Sequence, residues 1–259
     1  MLEACRLEAR STSRYHHLAL GSALNGWPFP VALTRHRLLH TRIPLEHLNR
    51  LIDHFDSLVR YTCIADSCAR QQVLNIPTNP GPSLGWWVTK LTELSLEGEH
   101  RAALASAAKI AQQNEIVKLR NELRGHGYTL SASMIAEKNI HLEKAIQQIE
   151  TVLEPFLIRH IPVLVESFSP DAGSTAKFVG LKLAGSNTIF HKYERVRSIS
   201  TLSTIPNQND LLLETEHGFV SFGEHLVRRH CPSCKQDRIL ISDGSVYIDL
   251  EVGHRVSFR

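Results

Sequence analysis

The sequence predicts an α+β chain. An antiparallel helical bundle is expected over residues 41–168, a small β-rich domain over 173–259, and an N-terminal extension over 1–40. Three observations lead there. Apolar residues recur at three- and four-residue steps through the first two thirds, as the buried stripe of a helix requires. Past S-P-D-A-G-S, near Pro170, the period shortens to two, the alternation of a half-buried strand. The composition of the 259 residues, 42% hydrophobic and 21% charged, is that of a folded soluble protein and excludes a disordered or collagen-like chain.

Taken in order, the opening M-L-E-A-C-R-L-E-A-R is charged and has no apolar core, so no secretory signal is expected. The uncharged stretch from Tyr15 to Thr34 carries His16, His17, Asn25, Pro28 and Pro30, a poor membrane helix, so no membrane partner is expected. Five cysteines, an odd count, point to reduced thiols and a cytoplasmic setting. From Pro44 to about Leu74 the residues Leu48, Leu51, Ile52, Phe55, Leu58 and Val59 form one helical stripe, with Pro44 suited to the first turn. The loop N-I-P-T-N-P-G-P interrupts it. Helical spacing returns over Leu84–Leu96 and again from Ala102 to Arg124, stopping at Gly125-His126-Gly127. Ser131 or Ser133 caps a last helix whose stripe runs Leu142, Ile146, Ile149, Leu153, Phe156 and Leu157 and ends before Pro162.

In the β-rich part, Val179, Leu181 and Leu183 alternate with Gly180 and Lys182. L-L-L-E-T-E-H-G-F-V-S-F predicts a hairpin turning near Glu216–Gly218. In I-L-I-S-D-G-S-V-Y-I-D-L, Asp243-Gly244 has the residue types of a two-residue primed turn.

Charge is mild, at +3 with 15 further histidines, and forms no basic stripe of the kind nucleic-acid binders carry. The first 70 residues hold nine Arg and no Lys. With six acids among them, they read as a solvated face.

Chemistry concentrates in K-L-R-N-E-L-R-G-H-G-Y, residues 118–128. Arg120 supplies a permanent planar cation, His126 titrates near neutrality between two glycines, and Asn121 can orient either one. A base for a ribose 2′-hydroxyl and a cation for the developing phosphorane charge are the parts of metal-free RNA cleavage. This R-N-x4-H-G pattern at a bundle-helix end resembles the signature of HEPN domains (higher eukaryotes and prokaryotes nucleotide-binding), with Arg120, Asn121 and His126 matching. The resemblance implies a helical bundle that pairs as a homodimer with the two motifs facing each other. It also implies metal-independent endoribonuclease activity in toxin–antitoxin or antiviral defence systems, with RNA as substrate and no catalytic cofactor. Other members have lost catalysis and act as assembly modules. In one branch the motif continues His-x-Tyr and a partner enzyme modifies the tyrosine. Tyr128 fits that extension, although five residues separate Arg120 from His126 where that branch has four.

Cys231-Pro-Ser-Cys234 has the spacing of a zinc knuckle, and H-C-P-S-C-K before a hairpin resembles a degenerate zinc ribbon. Two thiolates are half of a structural site; His225, His230 and His254 are further ligands by residue type. The other reading is a turn with two reduced thiols. Cys63 and Cys68 read as core residues, and Trp86-Trp87 as core rather than as a base-stacking platform. No phosphate-binding glycine loop, nucleophile elbow or H-E-x-x-H pair occurs. Two functions follow. One is a HEPN-like endoribonuclease; the other is a non-enzymatic dimerising adaptor that docks a partner enzyme through the β-rich domain. A protein partner, an antitoxin or a larger defence subunit, is expected.

Overall fold

The computed structural model describes residues 26–79, 81–125, 130–171, 175–186, 190–198, 206–216, 218–249, 251 and 254–257. Among them lie helices α1 (Phe29–His40), α2 (Pro44–Ala69), α3 (Leu84–Leu94), α4 (Arg101–Gln113), α5 (Ile116–Gly125) and α6 (Ala132–Arg159). Strands follow: β1 (Pro162–Pro170), β2 (Thr175–Lys182), β3 (His191–Ser198), β4 (Leu211–Thr215) and β5 (Gly218–Ser221). The last four are β6 (Leu226–Cys231), β7 (Gln236–Ser242), β8 (Tyr247–Asp249) and β9 (Arg255–Val256). The fold is therefore mixed α+β, with two antiparallel sheets ordered β3-β2-β1-β4-β5 and β6-β7-β8-β9. No helix among the described residues is long and apolar enough to cross a membrane.

Helix α2 is the centre of the helical layer. It packs against α1, α3 and α6 and touches β4 and β5. Every residue from Leu58 to Cys68 is buried, the pattern of a helix surrounded by protein. It ends at Ala69, earlier than the apolar spacing suggests. Gln71 adopts φ 56°, and Gln72 N–H donates to Ser67 O at 2.9 Å while Gln71 N–H donates to Cys68 O at 2.9 Å. That pair of bonds is a Schellman stop, and a glutamine occupies the position that usually announces itself as glycine. The helix expected from 102 to 124 is likewise two, α4 and α5, broken at Glu115 with φ 49°. Asn114 caps α4 by donating its side-chain amide to Ile110 O at 2.7 Å. The break lets Ile116 and Leu119 turn into the core.

Residues 29–40 lie inside the segment read as an extension, yet they form α1, whose Phe29, Val31, Ala32 and Leu38 are buried in the main core. At the other end of the helical layer, Ser131 rather than Ser133 caps α6, accepting from Met134 N–H at 3.3 Å. Ser131→Ala should cost about 1 kcal/mol. A thermal melt of the variant would show it as a drop of roughly 2–4 °C.

Strand β1 starts at Pro162, before the change of period. Its opening Pro162-Val163-Leu164-Val165 is buried on both faces, so the run is continuously apolar and shows no alternation. Leu164 joins the main core with Leu211 and Leu213, whereas Val163 and Val165 join a second cluster with Phe178, Tyr193, Leu212 and Phe219. On β2 the buried set is Ala176, Phe178 and Gly180, while Val179 and Leu181 are only partly buried. Gly180 is required where β2 crosses β1, because a Cβ there would stand 2.2 Å from Leu164 O.

The β4–β5 hairpin closes tightly, pairing Thr215 with Gly218. The β7–β8 connection differs from the expected two-residue turn. The last pair is Ser242 with Tyr247, leaving the four residues 243–246 as the loop, with Asp243 N–H donating to Val246 O at 2.7 Å. Its tip is pressed onto the proline-rich loop before α3. Gly244 has φ 78°, and a Cβ on it would lie 2.1 Å from Pro77 O. Leu226, Ile239 and Ile241 of this sheet belong to the same apolar cluster as the helices, so the second sheet is seated on the helical layer.

Candidate functional site: an arginine-lined cleft beside a cysteine knuckle

Where the second sheet meets the helices, a cleft of about 310 Å³ opens. Helix α2 supplies Arg50, Asp53, Ser57 and Arg60, spaced three, four and three residues apart and so on one face. Thr34 and Arg37 come from α1, Arg120 from α5, and Asp243, Asp249 and Arg255 from the sheet. Five arginines thus face one cavity with four aspartates, Asp53, Asp56, Asp243 and Asp249. Among the described residues, the arginines of the opening segment do not all lie on a solvated face. Arg35 is fully buried and Arg60 nearly so, because each has found carboxylates.

Arg60 is the most tightly held. Its guanidinium meets Asp243 Oδ1 at 2.5 Å and Asp56 Oδ2 at 3.0 Å, and lies over the Trp87 ring at 5.2 Å. Burial alone would lower its pKa, but Asp56 and Asp243 outweigh that and raise it. Asp243 Oδ2 also meets Arg255 at 3.2 Å, so one hairpin-loop carboxylate ties the sheet to α2 and positions a second arginine. Arg50 is held more loosely, 3.7 Å from Glu46 and 3.8 Å from Asp53. Burial, then the like charge of Arg50, lower the Arg37 pKa, with Asp249 and Asp53 opposing. Two guanidiniums that repel across a cavity favour an anion between them.

Arg120 is half-buried in this wall and donates to Asn121 Oδ1 at 3.0 Å. Asn121 itself is exposed. The structure thus places Arg120 with four other arginines, an assembly no local motif shows. His126 and Tyr128 lie outside the described residues.

Behind the wall is a buried charged network. Arg35 Nε is 2.9 Å from Glu150 Oε1, and His54 Nε2 is 2.8 Å from the same oxygen. His54 Nδ1 lies 2.9 Å from the Thr34 hydroxyl. Burial lowers the His54 pKa despite Glu150. That favours a neutral imidazole whose Nε2–H donates to Glu150, with Nδ1 facing the Thr34 hydroxyl, which also reaches Val31 O at 3.0 Å.

A second cavity, about 400 Å³, lies between the end of α6 and β4 and is lined by Asp66, Arg70, His100, His160 and Glu214. Burial pushes His160 down to about 4, and its ring stacks on Phe156 at 4.0 Å. It is a packing histidine.

The cysteine knuckle lies where β6 turns into β7. Cys231 ends β6, Cys234 sits in the β6–β7 turn, Asp249 ends β8 and His254 directly precedes β9. One donor atom from each of these four residues falls within 4.8 Å of all the others, close enough to hold a metal. The backbone N–H groups of Cys234 and Ser233 lie against the Cys231 sulfur and lower its thiol pKa. Of the three histidines suggested by type, only His254 belongs to the group. His230 is exposed and pairs with Asp237 at 3.3 Å. Asp249 carries no ligand signature in the sequence, because in Y-I-D-L it reads as the polar position of a strand; β8–β9 pairing brings it opposite His254, and Asp249 N–H donates to His254 O at 2.8 Å.

Cys63 and Cys68 are buried in α2, and burial raises both thiols, that of Cys68 to about 12. Trp87 is fully buried and Trp86 partly so. Comparison with protein-family models, curated proteins and solved structures finds no match.

Proposed function

We propose that the chain is a HEPN-like, metal-independent endoribonuclease acting as a homodimer in defence or in a toxin–antitoxin pair, and that the arginine cleft receives the RNA backbone. The observation that carries this reading is the position of Arg120. It stands in the wall of a cleft with Arg37, Arg50, Arg60 and Arg255, where planar guanidiniums match the oxygens of a phosphodiester. In the reaction, His126 takes the 2′-hydroxyl proton and later protonates the leaving 5′-oxygen. Arg120 neutralises charge on the phosphorane, and Asn121 fixes the Arg120 fork. The remaining arginines position the strand. A structural zinc at the Cys231–Cys234 knuckle belongs to the proposal but takes no part in the chemistry. Tyr128 is the position at which a partner enzyme would silence the site.

The attacking oxygen belongs to the substrate, so products should end in 2′,3′-cyclic phosphate. Cleavage in magnesium-free buffer should proceed at the same rate with and without brief EDTA treatment. Product analysis of a short labelled RNA tests both points, and 3′-hydroxyl ends or a magnesium requirement would count against this mechanism.

The adaptor reading has one observation in its favour. Asp243 occupies both Arg60 and Arg255, leaving the cleft lining only one net positive charge from its five arginines and four aspartates. A purified chain that pairs and captures a partner but cleaves no RNA would support it.

A further inference from the structure

We propose that Cys231, Cys234, Asp249 and His254 form one four-ligand zinc site, and that this ion clamps β9 to β8 and so holds Arg255 in the wall of the cleft. The metal site stands apart from the endoribonuclease reading; only the step to Arg255 rests on it.

The donor set suits zinc. Two sulfurs, one imidazole nitrogen and one carboxylate oxygen make four ligands of the types zinc takes in tetrahedral structural sites. All four lie within 4.8 Å of one another. In a tetrahedron with zinc–ligand bonds of about 2.0–2.3 Å, donor atoms stand roughly 3.3–3.8 Å apart, so closure needs only side-chain adjustment. Cys231 Sγ and His254 Nδ1 are already 3.8 Å apart.

The surroundings complete the site. Two thiolates, one carboxylate and a neutral imidazole around a divalent ion leave one net negative charge. Arg238 lies against that charge, donating through Nε to Cys234 Sγ at 3.4 Å and standing 3.7 Å from Asp249 Oδ2. Its far side pairs with Glu251. Asp249 Oδ1 accepts from Glu251 N–H at 2.8 Å. Such outer partners fix ligand orientation in metal sites.

The link to the cleft is one residue long. His254 is followed directly by Arg255, which pairs with Asp243 across the cavity, and Asp249 itself lines the same cavity. Strand β9 has two residues and two ladder pairs, Tyr247 with Val256 and Ile248 with Arg255. Strand pairing this short is weak on its own, whereas metal bonds from Asp249 at the end of β8 and His254 before β9 tie the two strands firmly.

The test uses the full chain purified under reducing conditions without added metal. Elemental analysis should find about one zinc per chain. Cobalt exchanged into the protein should show the intense visible bands of tetrahedral geometry and sulfur-to-cobalt charge transfer in the ultraviolet. Cys234→Ser and His254→Ala should each lose the ion and lower the melting temperature. A chain free of zinc that gives no tetrahedral cobalt spectrum, or a Cys234→Ser variant that keeps its metal, would overturn the site. For the second step, single-stranded poly(U) binding is titrated against salt. The zinc-free His254→Ala variant should match Arg255→Ala, each with a log–log salt slope shallower than wild type by about 0.7, one phosphate contact. Zinc lost with an unchanged slope overturns the clamp on Arg255 and leaves the metal site standing. If wild type does not bind poly(U), the clamp falls with the cleft reading, while the metal analysis still decides the site.

Discussion

His126→Ala should lower RNA cleavage by roughly 10²–10⁴-fold, the loss typical of removing a positioned general acid–base. Helix α5 ends at Gly125, and the proposed role requires a His126 that RNA can reach, so its loss should cost no core packing. Stability should therefore stay within about 0.5 kcal/mol of wild type. Arg120→Ala should be similarly damaging, because the cation that meets developing phosphorane charge is lost. Arg120→Lys should recover only part of that, since a point charge replaces the fork that Asn121 orients. The rate profile of wild type should rise and fall around neutral pH, and the limb assigned to His126 should vanish in the alanine variant. Single-turnover cleavage of a defined RNA, with melting curves for each protein, separates lost chemistry from lost fold. Equal activity in wild type and His126→Ala, or none in either, would end the enzyme reading.

Glu150→Ala should destabilise the protein by about 3–5 kcal/mol, the cost of leaving a buried charge without its partner. Arg35 is fully buried in α1 and pairs with Glu150 of α6 at 2.9 Å, while neutral His54 of α2 donates to the same oxygen at 2.8 Å. One carboxylate oxygen thus joins three helices. Removing it strands the guanidinium and leaves the imidazole N–H unpaired. The expected fall in melting temperature is roughly 6–20 °C for a chain of this size. The double change Arg35→Met with Glu150→Leu removes both charges and should recover much of the loss, because a buried ion pair contributes little over apolar packing of similar volume. Equal destabilisation of the single and double variants would show that shape, rather than the unpaired charge, sets the cost.

Regular elements were legible where one local pattern controls them. The Leu48–Val59 stripe, the Ser131 cap and the Leu142–Leu157 stripe all lie in observed helices, since burial on one side of a helix imposes a 3.6-residue period on the chain itself. Boundaries were legible less often. Gln71 and Glu115 end helices at positive φ without glycine, and β1 hides its period because both faces are covered. At the β7–β8 hairpin, Asp243-Gly244 matched a two-residue turn by type. The loop is longer because it docks on Pro77 while Asp243 reaches Arg60, demands that come from a distant part of the chain.

By itself the sequence determined the class of the fold, the helical surroundings of Arg120 and Asn121, and the close pair of cysteines, Cys231 and Cys234. Each is encoded within about one helical turn or one tight turn, where neighbours along the chain are neighbours in space. Only the tertiary structure decided what stands opposite them. It drew Arg37, Arg50 and Arg60 from the two opening helices to one cavity with Arg120 and Arg255, and it set Asp249 and His254 against the cysteine knuckle. Those partners lie tens to hundreds of residues apart in sequence. Their meeting depends on how the second sheet is seated on the helical layer through Leu226, Ile239 and Ile241. That seating is driven by non-directional burial of apolar area, which leaves no spacing signature at the residues whose charges it brings together.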